Sequence, residues 1–352
     1  MLSVFRRALH RIPELDWALP ETSAYLRSVL APLDCRVFSP VGDAVCAYFD
    51  FGRSETVAFR SDMDALPITE RTNLPFASEH PGKMHACGHD GHMAILLGLA
   101  EALENGRVTP HRNVLLIFQP AEETTGGAAA ICRTGVLERC GATRVYGLHL
   151  WPELEKGRIA ACAGGMMARS SELTAEVGGK SVHLARWQTG CDALEAAARF
   201  LTQAYALAEG LPCVLRFGKM TAGAARNALA DAAHMEGSLR CLDDRLFLLL
   251  KERLATLAET VSAETGCPIR LSYSTGYPPV TNDAALLAEA RALLPVEPAE
   301  PCFLTDDFSE YQLRVPGVYF RLGTGGAPLH SPQFDFDEAV LEKGLALFSA
   351  LA

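Results

Sequence analysis

The stretch Met84–Leu103, MHACGHDGHMAILLGLAEAL, decides how this chain folds. Its first part sets Cys87 and His89 two residues apart, and its second part puts Met93, Leu96, Leu97, Ala100 and Leu103 on one face of a helix. A helix with one apolar face needs a layer to bury it against, and the flanking segments supply one. Thr56–Arg60 upstream and Val114–Phe118 downstream both read as buried strands, so the order is strand, ligand-bearing loop, helix, strand. The alternation continues to about Ala168 and predicts an α/β fold: a mixed, mostly parallel sheet with helices on both faces and functional groups at the strand ends.

A thiolate and a neutral imidazole both suit zinc and its first-row neighbours, and Cys87 and His89 can reach one ion from a single loop. Alone, the pair reads equally as a buried thiol beside a capping histidine. Further candidates follow, each at an apolar run. Glu122 and Glu123 come just after the 114–118 strand. Vicinal acids point in different directions, so one can bind metal while its neighbour acts as general base on water. Standing alone they would be a solvated helix N-terminus. His149 lies within the apolar VYGLHLWP, and His330 in the loop PLHSP after the strand-like Val318–Leu322. Asp62 and Asp64 follow the 56–60 strand, where they can orient ligand imidazoles from behind or serve as plain turn residues.

Taken in order, RSDMDALPI, PGKMHACGHDGH, LIFQPAEE, GLHLWP, GGKSVH, DDFSEY and VPGVYFRLG with PLHSP resemble the metal-dependent amidohydrolases of the aminoacylase and carboxypeptidase superfamily, in the branch of the hippurate and auxin-conjugate hydrolases. The resemblance covers nearly the whole chain. It implies a two-metal site in which Cys87 bridges, His89, Glu123, His149 and His330 are terminal ligands, and Glu122 is the general base. The ions would be zinc or manganese, with cobalt or nickel compatible with the same donors. The implied reaction is hydrolysis of small N-acyl amino acids or related amines. The alternatives are a dipeptidase or carboxypeptidase-like activity, a Cys87 thiol hydrolase with His89 as base, and a catalytically silent metal-binding dimer.

From about Arg169 to Thr275 the rhythm changes. Leu173, Ala175 and Val177 alternate, a helix spans Asp192–Ala208, strands are expected at Cys213–Phe217 and Met235–Leu239, and a second helix carries Leu246, Leu250, Leu254, Leu257 and Val261 before Ile269, Leu271 and Tyr273 alternate again. This β-α-β-β-α-β order predicts an inserted ferredoxin-like satellite at 169–275, with 1–168 and 276–352 forming the metal-binding catalytic domain. The resemblance makes the satellite a dimerisation domain and the protein a homodimer. It also gives His183 the stabilisation of the developing oxyanion, often across the dimer, and gives Asn227 and Arg240 contact with substrate. A guanidinium at Arg240 suits a substrate carboxylate.

Three departures from the family pattern bear on specificity. LARWQTG follows His183, where Trp187 either lines the acyl site or anchors a core; ALAD follows Asn227 in place of VIPD; and TDDF replaces SEDF, leaving Asp306 a methylene shorter than Glu. The formal charge of -10, with no cluster of Lys and Arg, argues against a nucleic-acid partner. No apolar stretch reaches about 18 residues, MLSVFRRALH has no secretory pattern, and eleven scattered cysteines resemble reduced thiols, so a cytoplasmic enzyme free of the membrane is expected.

Overall fold

Every residue of Thr56–Asp62, Asn113–Gln119 and Gly317–Gly323 is buried, the signature of strands covered on both faces. A computed structural model describes residues 1–352, which form two units. The first comprises Met1–Met166, Thr281–Glu300 and Asp306–Ala352; the second comprises Met167–Val280 and Pro301–Thr305.

The chain begins with α1 (Leu2–Arg11), α2 (Pro20–Leu30), β1 (Arg36–Phe38), β2 (Val45–Phe49), β3 (Thr56–Asp62), α3 (His89–Glu104) and β4 (Asn113–Gln119). It continues through α4 (Gly127–Arg133), α5 (Val136–Arg139), β5 (Ala142–Trp151), β6 (Ile159–Ala161) and β7 (Gly164–Met167). The second unit supplies β8 (Arg169–Gly178), a 3-10 turn (Leu184–Thr189), α6 (Ala193–Ala208), β9 (Cys213–Ala222), β10 (Ala232–Cys241), α7 (Asp244–Thr265) and β11 (Ile269–Tyr273). The return brings β12 (Val280–Asn282), α8 (Ala284–Leu293), β13 (Glu297–Pro298), α9 (Ser309–Gln312), β14 (Gly317–Gly323) and α10 (Leu341–Leu351).

In the first unit an eight-stranded sheet runs β1-β2-β4-β3-β5-β14-β6-β13. Its centre, β4-β3-β5-β14, is parallel throughout, while β1, β2 and the β14–β6 pair add antiparallel ladders. The expected mixed, mostly parallel sheet is what the chain forms. The consequence for function is geometric. Asp62 pairs in register with Gln119, and His149 with Arg321, so four parallel strands end at one edge. The β3-to-β4 crossover helix α3 returns antiparallel to them, which brings its first residue, His89, to the same edge.

The second unit is a four-stranded antiparallel sheet, β11-β8-β10-β9, with α6 and α7 packed on one face around Leu173, Phe200, Leu239, Leu250 and Leu254. This is the β-α-β-β-α-β order of a ferredoxin-like module. Asp192 caps α6 by accepting from Leu194 N–H, and Asp243 caps α7 by accepting from Arg245 N–H. The unit takes in more than the expected 169–275. The Ser170–Tyr277 bridge adds the segment after β11, and Ala168 N–H donates to Leu304 O at 2.9 Å, which brings 301–305 back to it. β9 and β10 also outrun the expected strands, because their ladder continues through polar positions that do not alternate cleanly. No helix is long and apolar enough to cross a membrane.

Candidate metal centre

His89 opens α3, and its backbone position follows from Gly88, whose φ of 85° suits glycine and whose missing Cβ avoids Leu150. Its Nδ1 lies 2.7 Å from the carbonyl oxygen of Asp64, so Nδ1 carries the proton and the lone pair is on Nε2. That Nε2 is buried and has no hydrogen-bond partner. His149, near the end of β5, follows the same logic: Nδ1–H donates to Leu150 O at 2.7 Å, and Nε2 faces the Cys87 sulfur at 3.4 Å. Burial keeps both imidazoles neutral, lowering His149 to about 3 and depressing His89 as well. A neutral imidazole with a free inward lone pair is the form that binds a metal.

Glu122 and Glu123 sit on the turn after β4. Ala121 holds a φ of 59°, a strained value for a residue with a Cβ, costing on the order of 1–3 kcal/mol. Asp64 offsets that strain, since its two carboxylate oxygens accept Glu122 N–H and Glu123 N–H at 3.0 Å each. The turn therefore aims two acids from adjacent positions. Glu123 Oε1 is buried without a hydrogen bond, 3.8 Å from His89 Nε2 and 3.4 Å from His330 Nε2. Its own burial opposes ionisation, yet His330 and His89 bring its carboxyl down to about 2. Glu122 goes the other way: burial, then Asp306 and Glu123, push it well above the usual carboxylate range.

Among the groups of donor atoms within 4.8 Å of one another, two contain Cys87, one with His89 and His149 and one with Glu123 and His330, and a further group joins His89, Glu122 and Glu123. Unpartnered buried lone pairs on His89 and Glu123, beside a thiol and two further imidazoles, are the arrangement that a pair of soft-to-borderline divalent ions fits.

Asp62 and Asp64 support the site in different ways. Asp64 orients His89 through its carbonyl, while its carboxylate organises the glutamate turn. Asp62 grips His92, Nδ1 to Oδ1 at 2.6 Å, and His92 Nε2 accepts Leu150 N–H at 3.0 Å, next to His149. Both ring nitrogens of His92 are thus used, which removes it as a ligand although it stands in the same motif as His89.

Arg60 is the residue that sequence reasoning overlooked. Fully buried at the end of β3, it donates to Asp62 and Asp307 at 2.9 Å each and to Gln119 at 2.9 Å, and lies 3.4 Å from Asp306. The signal was a charge inside the buried run TVAFRSD, since an interior guanidinium requires carboxylate partners.

A Cys87 nucleophile does not fit this setting. Burial, followed by Glu123 and Glu122, raises its thiol well above the ordinary value, whereas nucleophilic thiols lie in electropositive surroundings that lower it. In the second unit, His183 is exposed, its Nδ1 accepts Ala185 N–H at 3.2 Å, and Leu184 N–H donates to Asn227 O at 3.1 Å, so those two candidates are neighbours. Arg240, half-buried on β10, donates to Phe303 O at 2.7 Å. Trp187 is 60% exposed, which excludes the core-anchor reading within that unit.

Known proteins are similar to this chain over nearly its whole length. The profile of peptidase family M20/M25/M40 matches residues 58–352. A Streptococcus pneumoniae protein named N-acetyldiaminopimelate deacetylase is 36% identical, across 98% of this chain and 96% of its own. A solved structure of a dinuclear metal-binding peptidase from the M20 family of Bacillus subtilis superposes with a TM-score of 0.89 at 31% identity, covering 99% of this chain and 96% of that one. A solved structure described as an aminohydrolase from methicillin-resistant Staphylococcus aureus gives a TM-score of 0.92 at 29% identity, covering 99% of this chain and 95% of that one.

Proposed function

This chain belongs to peptidase family M20/M25/M40 and is a hydrolase of that family, and from this we propose that it cleaves the amide bond of small N-acyl amino acids at a centre of two divalent ions. The observation that carries the reading is the pair of donor trios sharing Cys87, with Glu122 beside them. Cys87 would bridge, His89 and His149 would complete one site, and Glu123 and His330 the other. Zinc or manganese suits this mixture of thiolate, imidazole and carboxylate, as do cobalt and nickel. Bound ions would polarise the acyl carbonyl and acidify water.

The chain's own part is proton transfer and positioning. Glu122 lies outside the two trios that share Cys87 but within 4.8 Å of the His89 and Glu123 donor atoms, and its carboxyl would take a proton from water and return it to the leaving amine. Asp64 and the strained Ala121 hold that carboxyl in place. We assign oxyanion stabilisation to His183, substrate contact to Asn227 and Arg240, and dimerisation to the second unit; the exposure of His183 and Asn227 supports the first two roles. A cytoplasmic location accords with eleven cysteines scattered through the sequence without the regular spacing of a disulfide framework.

The named substrate of the pneumococcal relative makes N-acetyldiaminopimelate, with other N-acetyl and longer N-acyl amino acids, the first panel. Free-amine release would be followed for zinc- and manganese-loaded parent and for Glu122→Gln. Turnover by the parent alone supports the proposal. A parent holding two ions yet silent across the panel counts against this substrate class.

A further inference from the structure

Of the five donors, His330 is the one the fold secures least. His89 begins a helix and His149 lies in a central strand, but His330 stands in a loop at a φ of 62°, with its side chain 53% exposed. Its placement therefore depends on how the loop is tied down. Its own N–H donates to Ala86 O at 2.8 Å, and Arg71 N–H donates to Pro332 O at 2.7 Å. A further tie comes from α1, beside the buried Phe334 and Phe336. Arg6, 1% exposed, donates from Nη2 to Asp335 Oδ1 at 2.6 Å and from Nη1 to Phe336 O at 3.2 Å, and its guanidinium lies over the Phe336 ring at 3.7 Å. Its Nε donates to Asp90 Oδ2 at 3.2 Å, and Asp90 is the residue directly after His89.

We propose that Arg6 is a positioning residue for the metal centre, fastening the His330 loop to the head of α3 and so fixing where His330 stands relative to Cys87 and Glu123. The proposal rests on the dinuclear reading above. One planar fork makes all three polar contacts while stacking on an aromatic ring, which a lysine ammonium cannot reproduce. The two ends of the clamp are unequal. Asp90 keeps His10 Nδ1 at 2.8 Å and Gly91 N–H at 2.9 Å when Arg6 is gone, so the head of α3 stays seated. Asp335 and the Phe336 carbonyl lose their buried partner. Loss of Arg6 should thus spare the trio of Cys87, His89 and His149 and loosen the trio containing His330.

The test is equilibrium dialysis of chelator-stripped parent, Arg6→Lys and Asp335→Ala against zinc, with bound metal read by elemental analysis and thermal midpoints taken on the metal-free proteins. Asp335→Ala removes the carboxylate contact at the loop end, the shortest of the clamp, at a side chain 35% exposed, while leaving Arg6 on Asp90, and so remains informative if Arg6→Lys folds poorly. The expected result is two equivalents on the parent; in both variants the first binds as in the parent and the second binds roughly ten- to a hundredfold more weakly. Two equivalents at parental affinity in Asp335→Ala would overturn the proposal, as would equal weakening of both ions. A parent that binds fewer than two ions removes the dinuclear reading and this role with it.

Discussion

Gly127→Ala sets two physical effects against each other with opposite signs. Gly127 is the first residue of α4, and by helix propensity alone alanine there would be favoured by about 1 kcal/mol. The surroundings say otherwise. A Cβ at this position would lie 1.9 Å from the carbonyl oxygen of Pro120 and 3.2 Å from Gln119 Cγ, where real contacts essentially never fall below 3.0 Å. The backbone of Pro120 must then retreat by about 1 Å. It cannot do so alone. Ala121 N–H is bound to Asp16 O at 3.1 Å, Gly126 N–H to Ala121 O at 2.8 Å, and the next two residues to Asp64, so the displacement passes into the turn that aims Glu122. Overpacking of this kind costs about 1–3 kcal/mol and outweighs the propensity gain. A 1 Å error in a catalytic group can cost roughly a hundredfold in rate. Gly127→Ala should therefore show a thermal midpoint lower by roughly 1–3 °C and kcat lower by roughly ten- to a hundredfold on whichever N-acyl amino acid the parent cleaves. Calorimetry and initial rates on metal-loaded protein check both. A raised midpoint with parental kcat would refute the reasoning, because it would mean that propensity wins and Pro120 yields freely.

Glu122→Gln should keep its metal and fold but lose roughly 10²–10⁴-fold in kcat, since both proton transfers run through that carboxyl; metal loss in elemental analysis would make Glu122 a ligand instead. Cys87→Ser should lower metal occupancy, a hydroxyl being a poor substitute for a bridging thiolate, and full occupancy of both sites would remove the bridging role. His10 supplies a pH prediction away from the centre. Its burial opposes protonation, but hydrogen bonds to Asp90 and Glu70 raise it from 6.5 to about 9. A raised base contributes in full below pH 6.5 and loses that contribution as pH climbs through about 9, on the order of 3 kcal/mol shared with its two partners. His10→Gln should accordingly lower the thermal midpoint strongly at pH 6 and little at pH 10; equal losses at both would contradict it.

Much of the first unit is legible in the sequence because its central strands are buried on both faces, so apolar runs such as 114–118 and 318–322 locate β4 and β14 to within a residue or two at each end. The candidate ligands could be collected for the same reason, each standing where such a run stops. The limits of the second unit were less legible, since they depend on pairings such as Ser170 with Tyr277 and Met167 with Cys302, which no local pattern encodes. Which group supports which ligand was equally hidden. Asp64 uses its carbonyl for one task and its carboxylate for another, and a residue type cannot distinguish them.

In TDDF, Asp306 stands where the family pattern has Glu, and both of its carboxylate oxygens are engaged. Asp306 uses Oδ1 to accept Phe308 N–H, two residues on, at 2.7 Å, an Asx turn that the longer Glu side chain does not make in the same way. Its Oδ2 accepts the hydroxyl of Tyr319, and Arg60 lies 3.4 Å away. Asp307 meanwhile takes Arg60, Gln119 and the N–H of Ala128, although burial and Asp306 still push it up to about 7. The shorter acid is thus bound back into its own turn and into the Arg60 cluster. One guanidinium faces Asp62, Asp306 and Asp307, so the substitution alters how negative charge is distributed beside Glu122 without altering its amount. A residue one methylene shorter can therefore leave the donor set intact while changing the electrostatic surroundings of the proposed base, and those surroundings include a cation 246 positions away from Asp306 in sequence.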